Sequence, residues 1–428
     1  MNQLATELNK VLCNSSADRL LSDYGKRLYV PKGIIVQSGE AKKKAHKFNA
    51  TIGIATEHGE PMFIPSMRAM FSDELKLSQI FPYSPMGGNL QLREKWLSDM
   101  REKNPLMKDK KVSLPLVASG LTSAVSIVAS LFLDRGDAVI LPDMYWENYN
   151  LILTEQCQAS IIPYKFFVDE KFNTEGLSSA IDSANSDKVF VFMNFPNNPT
   201  GYSPTEEEAE KITEILIEKA RNGKKILVLS DDAYFGLFFD EHVCRQSLFA
   251  RLCDAHENIL AVKCDGATKE EMAWGFRVGF ITYGCKGFDD EMYNAIMQKT
   301  MGAIRGTLSS CSTSSQNILL EGMSAPDYKE GKAVGVAKIE KRFHCMKNEL
   351  EKYKAETYLV PLPFNSGYFM SFYCDCNAED LRQLLLDKYE AGVIRLDEHH
   401  IRLAFSSIDL EKIPELIKVV YQAAKELS

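Results

Sequence analysis

Lys269 and Arg277, eight residues apart in Asp265-Gly-Ala-Thr-Lys-Glu-Glu-Met-Ala-Trp-Gly-Phe-Arg277-Val-Gly, form the pattern in this chain best suited to chemistry. A lysine amine is a nucleophile toward carbonyl carbon, and a guanidinium grips phosphate or carboxylate through paired hydrogen bonds. Two other segments add complementary groups. They are Asn194-Phe-Pro-Asn-Asn198-Pro-Thr-Gly201, and Asp231-Asp-Ala-Tyr234 at the end of the apolar run Lys225-Ile-Leu-Val-Leu-Ser230. Singly, each has an ordinary explanation: a lysine at a helix start is usually solvated, and Asn-Pro-Thr-Gly has the composition of a turn. Their order along the chain makes them a candidate site.

Such residues meet only if secondary structure brings them to one edge. From about Leu116 to Gly284, short apolar runs alternate with longer amphipathic stretches. Residues 138–141, 160–162, 189–192, 226–229, 259–262 and 278–282 read as strands of a covered sheet. Thr205 to Asn222 has helical spacing, opens with Thr-Glu-Glu-Glu and closes at Gly223. This is an α/β layout, in which ligands gather beyond the carboxyl ends of the strands. Asn198, Asp231 and Lys269 each follow such a strand. The chain divides into a large domain over about 66–325 and a smaller domain built from 1–65 and 326–428, with 367–372 and 401–405 as strands.

Bulk properties narrow the function. The 428 residues carry a net charge of -8, and the basic residues are scattered apart from Lys42-Lys43-Lys44, a short solvated run. This argues against a nucleic-acid surface. The ten cysteines lack matching histidines, and Cys374-Asp-Cys376 has too few neighbours for a zinc site, so no metal is expected. The polar start and the absence of a long apolar run lead us to expect a cytoplasmic protein without a membrane span.

Taken together, these motifs resemble the pyridoxal-phosphate (PLP) aminotransferases of fold type I, the aspartate aminotransferase superfamily, over about Asn49 to Phe405. The resemblance implies a mostly parallel sheet covered by helices, a smaller α+β domain from both termini, and a homodimer with shared active sites. It makes Lys269 the residue that holds the cofactor aldehyde and moves the substrate proton. Asp231 pairs with the pyridine nitrogen, and Tyr234 and Asn198 bond the ring oxygen. Gly120, Leu121, Thr122, Thr268 and Arg277 bind the phosphate, with Tyr83 reaching it from the neighbouring subunit. Tyr145 stacks on the ring, with Trp146 as the alternative. Arg402 and Gly53 receive the substrate α-carboxylate, and Arg305 reads a side-chain carboxylate across the dimer. The implied activity exchanges an amino group between an amino acid, aspartate or glutamate in particular, and a 2-oxo acid.

Two rivals need weighing. Consecutive strand residues face opposite ways, so only one of Asp231 and Asp232 can address the ring, and Tyr234 fits the family's Asp-x-x-Tyr with Asp231. Lys263 has no arginine at the family's distance. The chain also departs from the family at Gly266, where a serine is common, at Leu121 in place of a glycine, at Ser309-Ser310-Cys311-Ser312, and at Asn148, which stands where a histidine backs the carboxylate. A β-lyase or decarboxylase of the same fold, and a non-catalytic PLP-binding regulator, are the competing readings.

Overall fold

Val189 and Val191 enter one apolar core while Phe190 and Phe192, between and beyond them, enter another. That alternation, repeated along neighbouring strands, buries the main sheet on both faces. The computed structural model describes residues 1–31, 33–72 and 75–428. The sheet contains β1 (Leu116–Ala118), β2 (Ala138–Pro142), β3 (Ser160–Tyr164), β4 (Lys188–Asn194), β5 (Lys225–Asp231), β6 (Ile259–Gly266) and β7 (Gly279–Gly284). Their order is β1-β7-β6-β5-β4-β2-β3. Strands β3, β2, β4, β5 and β6 run parallel, and β7 is antiparallel to both its neighbours. All six strands read from the sequence are present, joined by the three-residue β1.

The crossover helices obey their sequence signals. Glu206–Arg221 opens with a capping box in which the Thr205 hydroxyl accepts from the Glu208 N–H and the Glu208 carboxylate accepts from the Thr205 N–H. Its Ile212 and Leu216 pack on the Val189 and Val191 side. Gly120–Phe132 covers the other face with Val125 and Val128.

A second, antiparallel sheet has β8 (Leu359–Pro361), β9 (Phe369–Cys374), β10 (Ile394–Arg395) and β11 (His400–Ala404) in the order β8-β9-β11-β10. The expected strand at Gly367 starts two residues later, because Gly367 has φ +72° and serves a turn. The core under this sheet joins Ile339, Phe343, Met346 and Leu350 of helix Tyr328–Glu351 with Phe48, Ala50 and Ala55 from near the N-terminus. Phe48–Asn49 also pairs in parallel with Ala391–Gly392. Lys42, Lys43 and Lys44 are exposed at the end of helix Ile34–Lys44. No helix among the described residues is long and apolar enough to cross a membrane.

Candidate active site

The parallel strands end together, and their last residues cross-link the loops beyond them. Asn194, ending β4, donates its amide to the Asp231 carbonyl (2.9 Å) and accepts from the Asn198 N–H (2.9 Å). Asn198 in turn accepts from Arg402 of β11 (2.9 Å). The turn also docks on the second sheet. Gly201 has φ +74°, a Cβ there would overlap the Phe369 carbonyl, and its own carbonyl accepts from the Asn365 and Ser366 N–H groups. Here only glycine satisfies both the left-handed backbone and the close approach.

Between the two sheets lies a cavity of about 200 Å³ whose lining includes Gly53, Trp146, Asn198, Asp231, Tyr234, Thr268, Lys269, Arg277 and Arg402. Asp231 is buried. One carboxylate oxygen accepts from the Tyr149 hydroxyl (2.6 Å) and the other from the Ala233 N–H (3.1 Å). Burial pushes this carboxyl up to about 6, although both hydrogen bonds favour the charged form. Lys269 is half-buried, with its amine 5.0 Å from the centre of the Tyr234 ring. Burial lowers the amine to about 8; Asp231 opposes that shift, and Arg277 and Arg402 add to it. Arg402 lies over the Phe369 ring, donates to the Thr51 carbonyl (3.1 Å), and is lowered by burial to about 10.

The rival residues point elsewhere. Asp232 lies on the opposite side of the strand end, where it accepts from the Ser247 hydroxyl (2.6 Å) and from Lys263. Lys263 is fully buried between Asp232 and Asp265, and these carboxylates overcome the pull of burial and keep it charged. It is therefore no rival nucleophile.

At the other end of the cavity, Gly120 starts helix Gly120–Phe132 with φ +78°, and a Cβ there would press into the Arg277 guanidinium. Leu121 and Thr122 line the cavity beside it. The Thr268 hydroxyl and the Arg402 Nε are buried with no hydrogen-bond partner among the described residues. A helix start, a guanidinium and an unpaired hydroxyl together suit a phosphate, and an unpaired guanidinium N–H suits a carboxylate. The departures at Gly266 and Leu121 are linked. A side chain at Gly266 would meet the Val278 carbonyl at 2.7 Å and Leu121 Cδ1 at 2.8 Å, so leucine fills the space a serine would need.

Two assignments around the cavity change. Trp146 lines the cavity, whereas Tyr145 turns away, donating its hydroxyl to Asn150 (2.9 Å) and stacking on Tyr149. Tyr149, not Asn148, backs Asp231. No local sequence signal marks Tyr149, because residues 145–148 form an irregular turn and helical structure begins only at Tyr149. Tyr83 and Arg305 are exposed and stand outside this cavity, with Arg305 donating to Ser309 (2.7 Å).

A family model described as aminotransferase class I and II matches residues 52–420. The chain belongs to this family. Membership implies PLP as the cofactor, and the cavity brings together a guanidinium beside a helix start, a buried carboxylate and an amine. An aspartate aminotransferase from Bacillus sp. (strain YM-2) is 27% identical over 247 residues, 56% of this chain and 58% of its own length. A probable aspartate/prephenate aminotransferase from Rickettsia felis is 29% identical over 53% of this chain and 55% of its own length. The chain thus spans a little over half the length of these curated relatives. In fold it is similar to an aminotransferase from Anaerococcus prevotii, with a TM-score of 0.84 and 24% identity over 96% of this chain and 99% of that one.

Proposed function

We propose that the protein is a PLP-dependent aminotransferase of α-amino acids and 2-oxo acids, with aspartate or glutamate and 2-oxoglutarate as its substrate class. The observation that carries this reading is the convergence of Lys269, Asp231 and Arg402 on one cavity between the two sheets. PLP supplies an aldehyde that captures an amine and a ring that accepts the electron pair left when a substrate bond breaks.

The chain's own groups do the rest. With its amine at about 8, Lys269 is partly unprotonated near neutral pH, so it would hold the cofactor aldehyde and, once displaced by substrate, could carry a proton to and from the substrate α-carbon. Asp231, held by Tyr149, is an anion above about pH 6 and keeps a proton on the ring nitrogen. Tyr234 and Asn198 would bond the ring oxygen, and Trp146, which lines the cavity, would pack on the ring. Gly120, Leu121, Thr122, Thr268 and Arg277 hold the phosphate. Arg402 would clamp the α-carboxylate through its guanidinium, with the Gly53 backbone closing over it.

Tyr83 and Arg305 serve the site of a second copy in a homodimer, where Arg305 meets a side-chain carboxylate. The exposed apolar residues Phe81, Tyr83 and Met86 support that assembly, and the aspartate and aspartate/prephenate names of the relatives support the substrate class. Residues 1–65 and 326–428 form the small domain. Borohydride reduction of the holoenzyme followed by peptide mapping tests the reading: the cofactor mass should reside on Lys269, and recovery on Lys263 would refute it.

A further inference from the structure

Glu270 and Glu271 directly follow Lys269, and both are buried. Buried adjacent carboxylates repel one another unless cations and donors meet them. Here the Lys332 ammonium lies 2.7 Å from each, Lys103 lies 2.6 Å from Glu270 and 3.9 Å from Glu271, and the Tyr328 hydroxyl donates to Glu271 (2.6 Å). Two carboxylates and two ammoniums leave the cluster neutral. Gly236, at φ +88°, makes room for it, since a Cβ there would come 3.0 Å from Glu270.

We propose that Glu270 and Glu271, clamped by Lys103 and Lys332, are positioning residues that hold the Lys269 amine at the cavity and tie it to helix Tyr328–Glu351. The inference rests on Lys269 being the cofactor lysine. Helix Ala267–Glu270, which carries that lysine, has only four residues and cannot be stable by itself. Its fixed points lie outside it: the clamp, and the Tyr368 hydroxyl donating to the Lys269 carbonyl (3.2 Å). Lys332 and Arg342 sit on the same long helix, and Arg342 donates to the Ser406 carbonyl just beyond β11. One rigid element therefore braces both the segment bearing Lys269 and the strand bearing Arg402.

The amine faces Asp231 and Tyr234 from β5 and the turn after it, Arg277 from the loop before β7, and Arg402 from β11. A loosened helix lets water reach the amine and weakens the burial that lowers it. The test labels the apoprotein with an amine-arylating reagent across about pH 6 to about 11 and quantifies Lys269 modification by peptide mass spectrometry. The wild-type midpoint is expected at about 8. In Lys332→Met and Glu270→Gln it should rise by about one unit or more, with kcat down about tenfold and KM within about twofold. Lys332→Arg, which keeps the cation, should restore both. Glu270→Gln preserves side-chain shape and reads the clamp even where Lys332→Met fails to fold. A lower melting temperature with unchanged midpoint and kcat would overturn the proposal and leave a purely structural clamp. Borohydride trapping away from Lys269 in the wild type would overturn the cofactor reading, while the labelling midpoints would still report on the clamp.

Discussion

Asp231→Asn should stabilise the apoprotein while crippling the reaction. Its carboxyl stands at about 6 in the folded chain against 3.8 when unperturbed, because burial outweighs its hydrogen bonds. Between those values the folded state binds a proton that the unfolded state does not, so stability falls as pH rises through the window and the full cost applies above about 6. Two units correspond to about 3 kcal/mol. Asparagine carries no charge but has one acceptor for the two donors at Asp231, Tyr149 and Ala233, which costs about 1 kcal/mol. The net gain is about 2 kcal/mol at about pH 8, falling below about 1 kcal/mol near pH 5. Urea unfolding of wild-type and variant apoprotein at the two pH values measures it. A variant less stable than wild type at about pH 8, or a gain that does not change with pH, would refute the reasoning. The same substitution should lower kcat far more than PLP affinity, since the ring nitrogen loses the charge that keeps it protonated, whereas Asp232→Asn should leave kcat much closer to wild type.

Lys269→Ala should abolish amino-group transfer while PLP still binds through Arg277 and the helix start at Gly120, which equilibrium dialysis with a transfer assay would show. Tyr149→Phe removes a hydrogen bond that favours the Asp231 anion, so the acid limb of kcat/KM should move to higher pH; an unmoved limb would deny Tyr149 its role. Arg402→Ala should weaken every amino acid by about a hundredfold, the scale of a lost bidentate charge pair, whereas Arg305→Ala should weaken only aspartate and glutamate. Uniform loss from Arg305→Ala, or an active monomer on sedimentation, would remove both the dicarboxylate assignment and the shared site.

Legibility in the sequence followed the range of the interactions. The strands β2 to β7 and helix Glu206–Arg221 were readable because their signals are local: apolar runs, a capping box and a closing glycine. Strand alternation allowed only one of Asp231 and Asp232 to address the ring and the spacing to Tyr234 chose Asp231, and the structure puts Asp232 on Lys263 and Ser247 instead of in the cavity. Tyr145 misled because four polar or aromatic side chains follow Tyr145 up to Tyr149 and nothing local fixes which of them face the cavity. Leu121 and Gly266 looked like two unrelated departures, and only their contact across 145 residues of sequence shows one filling the other's space. The clamp on Glu270 and Glu271 was equally hidden, since Lys103 and Lys332 come from distant helices and carry no local mark.

The central claim is that this cavity transfers amino groups, and a half-reaction tests it without coupling enzymes. Holoenzyme at substrate-level concentration is mixed with each of a panel of amino acids, and the bound cofactor is followed by absorbance. The account predicts stoichiometric conversion to the pyridoxamine form with one equivalent of 2-oxo acid, fastest for aspartate or glutamate, lost in Lys269→Ala and reversed by 2-oxoglutarate. Release of ammonia or carbon dioxide with the cofactor left in its original form would contradict it.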